Sequence, residues 1–275
     1  LLLKDIFPQN AVDLNMFSKK SLIYNYFRRK EKKLYNVSDY IGCMSQANVD
    51  FVINHNQEIS PDKVEICPNS IEPLKIEKND EIKNNIRNKY GIPIDKTVFI
   101  YGGNLGKPQG IDFVIDVLKA NENNKNVYFV IAGSGTEFKK LQNYFQNNKP
   151  KNAQLFEQLP KHDYELLANS SDVGLIFLDK KFTIPNFPSR LLSYMQASIP
   201  VLAATDPNTD VGKVIEEGEF GYWCISDNVN EFNDRLNKLC NKKLRENMGR
   251  NARKYLEENY TVDHSYNIIM RHFES

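Results

Sequence analysis

The chain has 275 residues, 41% of them hydrophobic, and its 36 Lys and Arg residues nearly balance its 35 Asp and Glu residues. That length and apolar content allow one large or two ordinary domains, and we expect two. The near-zero net charge excludes a sequence-wide field that would gather nucleic acid or an anionic membrane, although local patches stay possible, so we expect a small or local partner and no nucleic acid.

The cysteines and histidines form no metal-binding motif. Cys43, Cys67, Cys224 and Cys240 lack the close paired spacing of a zinc site, and the four histidines form no motif with them. We expect reduced, buried thiols and no metal, with a disulfide or a metal site as the alternative. No apolar run approaches the ~20 residues needed to cross a bilayer, and no signal peptide is evident, so the sequence predicts a cytoplasmic location.

The first 73 residues predict a small α/β unit. Leu1 to Lys4 have the pattern of the interior or end of a buried strand, and there is no initiator methionine, so we expect the chain to begin partway through a domain. The segment 68–80 carries two prolines and several turn formers, which is typical of a linker, and we place the domain boundary near Pro73. Within this unit the expected elements are a basic helix at 20–36, a strand at 40–45, a helix at 46–54 and a strand at 64–67.

Strands and helices alternate regularly after that boundary. Ile111, Val114, Ile115 and Leu118 stand at i, i+3, i+4 and i+7, which predicts a helix whose apolar stripe covers a sheet. The alternation predicts a doubly wound parallel sheet and therefore the α/β fold class. The expected strands are 97–101, 127–132, 153–156, 173–178, 200–204 and 221–225, the expected helices between them are 110–120, 136–147, 161–170, 189–197 and 210–217, and three more helices follow.

The loops that follow the strands are the candidate ligand sites, because ligands bind beyond the carboxyl ends of the strands in an open parallel sheet. The first such loop is YGGNLGKPQG, residues 101–110. Gly102 and Gly103 remove side chains where the strand ends, and Lys107 comes shortly before a helix, so phosphate could bind there. A tight turn with a solvated lysine is the alternative.

The second loop, AGSGTEF at 132–138, has the glycine spacing of a dinucleotide fingerprint, with Glu157 about twenty residues after the loop. Phe138 stands where a third glycine should permit close packing of helix and strand, and the loop is not the first of its domain. A close backbone approach to a ligand and a simple turn both stay open.

The third loop is TIPNFPSRLLS, residues 183–193. Ser189 is a reasonable N-cap, and Arg190 then lies beside the positive end of a helix, where a cation is disfavoured unless an anion joins it. A diphosphate would satisfy this position if the helix N–H groups and Ser189 bound some oxygens while Arg190 and Lys107 neutralised the rest. A surface arginine paired with a nearby acid is the alternative.

Taken together, these segments resemble a family 4 glycosyltransferase, a retaining enzyme of the GT-B fold with two facing Rossmann-like domains. The resemblance rests on GGNLGKPQG, VIAGSGTEFKKL, FPSRLLSYMQASIPVLAA and GEFGYWC, and on KDIFPQNAVDL, SDYIGCMSQANVDFVI and KVEICPNSIEP upstream. It is closest to members that build bacterial capsules and O antigens, including those that transfer N-acetylfucosamine-type sugars. It implies a partial N-terminal domain over 1–73, a complete C-terminal domain over 74–260, and a helix over 261–275 that crosses back to the first domain.

The resemblance implies transfer of a sugar from a UDP-sugar donor to a lipid-linked or glycan acceptor, with retention at the anomeric carbon and without a metal or other cofactor. Lys107 and Arg190 would act catalytically by stabilising negative charge on the leaving diphosphate. The loop 157–160 would hold the base. The donor contacts implied are Gly103, Asn104, Gly133, Ser134, Leu159, Phe187, Pro188, Ser189, Leu191 and Ser193.

The sequence also departs from the pattern of the family. Many relatives carry an arginine and a lysine around the first loop, where this chain has Asn104 and Gln109. Relatives often carry two glutamates where this chain has Pro185 and Ser193, which leaves the selection of the sugar open. The family's first strand, its glycine loop and its histidine near the reacting carbon would precede Leu1.

Two alternative functions therefore stay open. One is a noncatalytic subunit that binds donor and assists a partner enzyme, and the other is an NAD-dependent enzyme, which depends on Gly133, Gly135 and Glu157 alone. The basic segment at 27–33 could face an anionic lipid-linked acceptor or the inner membrane surface, and solvated charge is the alternative.

Overall fold

The computed structural model describes residues 1–75 and 79–274. Residues 76–78, in the predicted linker, and Ser275, in the predicted closing helix, lie outside the described residues. The described chain forms two parallel β-sheets, one of three strands and one of six.

The first sheet has the order β1-β2-β3, and all neighbouring strands are parallel. Its elements are β1 (Leu2–Leu3), α1 (Gln9–Asp13), α2 (Leu22–Val37), β2 (Ile41–Cys43), α3 (Gln46–His55) and β3 (Val64–Ile66). The expectation of a buried strand at the start is wrong in one respect: Leu2 pairs with β2 but is about half exposed.

The second sheet has the order β6-β5-β4-β7-β8-β9, which confirms the predicted doubly wound arrangement. Its strands are β4 (Thr97–Asn104), β5 (Val127–Ser134), β6 (Ala153–Phe156), β7 (Val173–Phe177), β8 (Val201–Thr205) and β9 (Gly221–Ile225). The helices are α4 (Asp80–Lys89), α5 (Ile111–Ala120), α6 (Phe138–Asn148), α7 (Lys161–Ser170), α8 (Arg190–Gln196), α9 (Val211–Glu217), α10 (Val229–Lys238), α11 (Lys242–Asn259) and α12 (Val262–Met270).

Strand order reverses between β4 and β7, and this switch point is where an open α/β sheet offers a crevice. The two strands pair only through Phe99 with Val173 and Ile100 with Gly174. Beyond these rows β4 continues to Asn104, paired with β5 alone. The side of β4 that faces β7 is therefore unpaired from Tyr101 onward, and this gap opens the sheet where the first glycine loop begins.

The core has one layer on each face of the second sheet. One face is covered by α5, α6 and α10, through apolar residues such as Leu118, Leu141 and Phe232. The other face is covered by α7, α8, α9 and α11, with Leu167 and Leu191 among the buried residues. Buried parallel strands carry continuous apolar runs, which explains why the sequence pattern predicted them.

Specific contacts join the two sheets. The Ala47 N–H donates to Asp210 Oδ2 at 2.9 Å, and Asn48 Nδ2 donates to the Pro185 carbonyl at 2.8 Å. Ile6 from the first part packs with Phe182 from the loop after β7. The domain boundaries near Pro73 and residue 260 stay predictions. Among the described helices, none has the length and apolar character needed to cross a bilayer.

Candidate functional site

A hollow of about 500 Å³ lies beyond the carboxyl ends of β4, β5 and β6. The ends of β4 and β5 form one wall, and the turn into α7 forms another. The residues that line it are Gly102, Gly103, Asn104, Ala132, Gly133, Ser134, Gln158, Leu159, Lys161, Tyr164 and Arg190.

Arg190 is a half-buried cation in this hollow. Its guanidinium carbon lies 4.2 Å from the centroid of the Tyr101 ring, and its Nη2 would lie 3.0 Å from a Cβ placed on Gly103. Its Nη1 is buried and has no hydrogen-bond partner, and no described acid forms an ion pair with Arg190. Burial raises the pKa of Tyr101 to about 12, so the phenol stays neutral and gives the cation no counter-charge. The alternative of an arginine paired with a nearby acid is therefore not supported.

Tyr164 and Tyr194 complete the surroundings of Arg190. A Cβ on Gly102 would lie 2.0 Å from the Tyr164 ring, so glycine is what leaves room for that ring. Tyr194 is fully buried, and its hydroxyl lies 3.0 Å from the Leu175 carbonyl. Burial raises the pKa values of both tyrosines. Neutral aromatic groups therefore hold the arginine, and its charge is left for a ligand.

The glycines of the two loops are explained by close packing of one loop on the other. A Cβ on Gly133 would lie 1.8 Å from the Gly103 carbonyl oxygen, and one on Gly135 would lie 2.5 Å from the Leu105 carbonyl oxygen. Gly103 also has a φ of 124°, which side chains rarely adopt. Glycine is thus required for loop packing, which removes the main observation behind the NAD-dependent alternative.

Lys107 lines a different hollow from Arg190. It is exposed and shares that second hollow with Asp13, Glu137 and Asp179. The reason is local: the buried Gln109 side chain accepts hydrogen bonds from the Gly106 N–H and from Asn104 Nδ2, both at 3.1 Å, and closes the loop into a 3-10 turn. The structure does not bring the two predicted catalytic cations together in one hollow, and a catalytic role for Lys107 stays a prediction.

The predicted contacts at 187–193 do not line the hollow that contains Arg190. Phe187 packs near Tyr260, with ring centroids 6.1 Å apart, and Leu191 is fully buried with its N–H donating to the Pro188 carbonyl at 3.1 Å. Ser189 and Ser193 are exposed. Ser189 is the N-cap residue of α8, as expected, but its side chain forms no capping hydrogen bond.

Six of the predicted site residues do line the hollow, namely Gly103, Asn104, Gly133, Ser134, Leu159 and Arg190. Gln158 belongs to the loop 157–160 that was expected to hold the base, whereas sequence reasoning missed Lys161 and Tyr164, which lie at the start of α7 after β6. The signal that could have found them is their position after the carboxyl end of a strand. Lys161, which is exposed, is a second cation in the same hollow as Arg190.

No group of three or more His, Cys, Asp or Glu residues in the described chain is placed to hold a metal ion. The described cysteines are all free, and three of the four are buried. Burial raises the pKa of Cys43 and of Cys224 to about 12. These thiols are therefore unreactive packing groups and take no part in the hollow.

Solved structures share this architecture. The crystal structure of Anabaena Alr3699/HepE in complex with UDP and glucose matches with a TM-score of 0.78 and 16% identity, covering 100% of this chain and 70% of that chain. WaaG, a glycosyltransferase involved in lipopolysaccharide biosynthesis, matches with a TM-score of 0.72 and 16% identity, covering 98% and 73%. At such low identity the likeness concerns the fold, and it confirms the predicted GT-B type of the α/β class.

The curated proteins that this chain resembles in sequence are also named as glycosyltransferases. A probable glycosyltransferase, WbjE of Pseudomonas aeruginosa, is 24% identical over 264 residues, which is 95% of this chain and 64% of that protein. A putative colanic acid biosynthesis glycosyl transferase, WcaI of Escherichia coli strain K12, is 22% identical over 184 residues, 66% of this chain and 44% of that protein. The chain thus spans less than two thirds of the length of these relatives.

The family pattern named "Glycosyl transferases group 1" matches residues 82–255. That range contains all six strands of the second sheet and every residue that lines the hollow around Arg190. It covers well over half of the chain. The chain therefore belongs to the group 1 glycosyl transferases.

Proposed function

We propose that the hollow around Arg190 binds a UDP-sugar, and that the whole enzyme transfers the sugar, with retention, to a lipid-linked or glycan acceptor of a bacterial surface polysaccharide. The observation that carries the proposal is the guanidinium of Arg190, which has a buried, unpartnered Nη1 and no counter-ion among the described residues. A charge in a half-buried position is costly unless a partner of opposite sign joins it.

A diphosphate supplies the partner that Arg190 lacks. A guanidinium binds phosphate oxygens through two parallel hydrogen bonds, and the pair is stronger where water is excluded. Breaking the glycosidic bond places negative charge on the leaving diphosphate, so a cation fixed beforehand by the Tyr101 ring stabilises the transition state more than the ground state. Lys161, which lies 3.7 Å from Glu165 at the exposed rim of the same hollow, is a second cation within reach of the ligand, and this supports transfer without a metal.

Uridine as the base is supported by the solved relatives. Alr3699/HepE was crystallised with UDP-glucose, and the pneumococcal O-GlcNAc transferase GtfA with UDP and GlcNAc. In this chain the turn formed by Gln158 and Leu159 offers an amide and an apolar side chain at the edge of the hollow. We assign the base to that edge, and we propose an N-acetylfucosamine-type sugar from the resemblance in sequence.

The proposal for the acceptor draws on the relatives' names. WcaI is named for colanic acid biosynthesis, and WaaG for lipopolysaccharide biosynthesis. Both names concern polymers of the bacterial surface. We extend this class of acceptor, together with a cytoplasmic location and contact with the inner face of the membrane, to the present chain.

Thermal unfolding with nucleotides tests the donor site. UDP at one hundred times its dissociation constant stabilises a protein by about 2.7 kcal/mol, which raises the melting temperature by several degrees in a chain of this size. Arg190→Gln should abolish this shift, and Arg190→Lys should reduce it, because a lysine keeps the charge but loses the bidentate geometry.

Arg250→Gln is the matched control, since Arg250 is an exposed arginine of α11 that lies outside the hollow. Its variant should keep the full UDP shift. An equal shift with NADH, or a full UDP shift in both Arg190 variants, would reject the proposed site. Tight UDP binding without turnover of any UDP-sugar by the full-length protein would instead favour the noncatalytic subunit.

A further inference from the structure

Residues 182–186 lie between β7 and the helix that carries Arg190, and they pack on the part of the chain that forms the first sheet. This stretch is called the pre-α8 segment below. Phe182 and Ile184 are 3% and 1% exposed, and both pack with Ile6 in one apolar cluster. Alternate side chains of the pre-α8 segment are therefore anchored outside the second sheet.

Hydrogen bonds from the first part of the chain hold the residues in between. Asn48 Nδ2 donates to the Pro185 carbonyl at 2.8 Å, and Asp13 accepts from the Thr183 N–H at 2.8 Å and from the Thr183 hydroxyl at 2.9 Å. Asn48 is 5% exposed, and its Oδ1 accepts from the Ser45 hydroxyl at 3.0 Å. Pro185 is buried and has no N–H, so this carbonyl is the hydrogen-bonding group of its backbone. Without Asn48 the carbonyl would lose its partner, which is costly in a buried position.

The loop after β8 holds the other side of the pre-α8 segment. Asn208 Nδ2 donates to the Phe182 carbonyl at 2.5 Å, and the Thr209 hydroxyl donates to the Asn186 carbonyl at 2.6 Å. Side chains from two other parts of the chain thus bind the backbone carbonyls at 182, 185 and 186. These contacts together fix the path of the segment.

The pre-α8 segment leads directly to Arg190. The Leu191 N–H donates to the Pro188 carbonyl at 3.1 Å, so the first turn of α8 begins at this proline. Because the φ angles of Pro185 and Pro188 are fixed, the connection has little freedom to absorb a shift at Pro185. Such a shift would move the guanidinium of Arg190, which lies 4.2 Å from the centroid of the Tyr101 ring.

We propose that Asn48 and Asp13 are positioning residues for the nucleotide site, because they hold the pre-α8 segment so that Arg190 faces the diphosphate. The inference rests on the proposed function of the hollow. Neither residue is among those that line the hollow, so both act through their contacts with Pro185 and Thr183. The buried contact of Asn48 should matter more than the partly exposed contact of Asp13, since a hydrogen bond is stronger where water is excluded.

Calorimetric titration with UDP, well below the melting temperature, tests the proposal. Asn48→Ala should weaken binding about tenfold, since the loss of one buried hydrogen bond changes an equilibrium constant by about that factor. Asn48→Leu keeps the volume of the side chain and should show the same loss. Asn56 provides the matched control, because this C-cap of α3 is 2% exposed and its Nδ2 donates to the Val52 carbonyl at 2.7 Å. Asn56→Ala should lower the melting temperature and leave the affinity for UDP unchanged.

Uridine separates a positioning role from a purely structural one. It lacks the diphosphate that Arg190 is proposed to bind, so Asn48→Ala should leave the affinity for uridine unchanged while the affinity for UDP falls. Asp13→Ala should show the same selectivity, with a loss of about threefold in the affinity for UDP. Asp50→Ala removes an exposed acid of α3 that accepts from Gln46, and it should change neither affinity.

Hydrogen exchange tests the positioning without any nucleotide. The amides of residues 182–196 should exchange faster in Asn48→Ala than in the wild type, and Asn56→Ala should leave their exchange unchanged. Unchanged exchange in Asn48→Ala, equal loss of UDP and uridine affinity, or unchanged UDP affinity in both Asn48 variants would each overturn the inference. A wild type that binds no UDP would reject the donor site. Faster exchange in Asn48→Ala alone would then still support the positioning of the segment.

Discussion

Asp206 is a fully buried carboxyl group at the end of β8 with no cation partner among the described residues. Its Oδ1 accepts hydrogen bonds from the N–H groups of Asn208 at 2.9 Å and Thr209 at 3.1 Å, while its buried Oδ2 has no partner. Burial raises the pKa of Asp206 to about 6, although the two backbone donors oppose the rise. The ionised carboxylate of Asp206 therefore destabilises the folded chain at neutral pH.

Replacing Asp206 by Asn should flatten the pH dependence of stability. Because the folded pKa lies above the unfolded value of 3.8, the contribution of Asp206 is fully present below that value and is lost as the pH rises through about 6. The loss amounts to at most about 3 kcal/mol. Urea denaturation across this pH range should show the loss in the wild type and a smaller one in Asp206→Asn. Asp62→Asn, at an exposed position, serves as control, and an unchanged pH profile in Asp206→Asn would contradict the prediction.

At the scale of elements, Asp172 fastens α4 to the second sheet. Its carboxylate accepts from Lys83 Nζ and Arg87 Nη2, both at 2.7 Å, and from the Val98 N–H at 2.8 Å. Burial alone would raise the pKa of Asp172, but the charges of Arg87 and Lys83 hold it below its usual value. Arg87 is only 2% exposed and also donates to the Ser170 carbonyl at 2.9 Å. This network and the packing of Ile86 against the core both place α4.

Removing the carboxylate should destabilise the fold strongly. Asp172→Ala leaves the buried guanidinium of Arg87 unpaired, which should lower the free energy of unfolding by about 3–5 kcal/mol in urea titrations. The double variant Asp172→Leu with Arg87→Met should be less destabilised than Asp172→Ala, because no unpaired charge is left. Asp163→Ala is the control, because it removes a partly exposed carboxylate of α7 that lies 3.8 Å from Lys89 of α4. It should lower the free energy of unfolding by at most about 1 kcal/mol. Equal losses in the single and double variants would contradict this account.

The contacts of Asp172 also help to explain why some elements could be predicted from the sequence and α4 could not. The six strands of the second sheet were predicted to within three residues at each end, because buried strands appear as continuous apolar runs. Helix α4 was missed because it is short and strongly polar, with Ile82 and Ile86 as its apolar residues, and because its partner Asp172 lies 85 residues beyond Arg87. Apolar periodicity in the sequence identifies a helix that packs through an apolar stripe. It gives no sign of an ion pair with a carboxylate that is distant in sequence.

The candidate site was predictable to a similar extent. The residues at the carboxyl ends of β4 and β5 were found because parallel strands bring these ends to one edge of the sheet. Lys107 was expected in the same hollow as Arg190, but the hydrogen bonds of Gln109 close the loop in a way that sequence spacing does not reveal. Tyr164 was missed because its place depends on how α7 packs over Gly102.

At the scale of the whole molecule, α12 connects the second sheet to the first. It follows α11 directly, and its Ser265 hydroxyl donates to the Pro68 carbonyl at 3.3 Å. At its end, Arg271 pairs with Glu65 of β3, and His272 Nε2 lies 2.7 Å from Glu65 Oε1. The His272 ring also stacks on Tyr40, with centroids 3.6 Å apart. One carboxylate of the first sheet thus holds the final turn of the chain.

Glu65→Ala should release the end of α12 without unfolding either sheet. Losing the ion pair with Arg271 and the hydrogen bond with His272 should cost about 1 kcal/mol locally, which corresponds to roughly fivefold faster amide exchange at these two residues. Hydrogen exchange followed by mass spectrometry should show this change in the peptide that contains α12 and none in β4 to β9. Glu257→Ala removes a matched acid that pairs with Arg253 within α11, and it should leave the α12 peptide unchanged. If exchange in α12 were the same in both variants, the Tyr40 stack and the Pro68 contact alone would hold the helix against the first sheet.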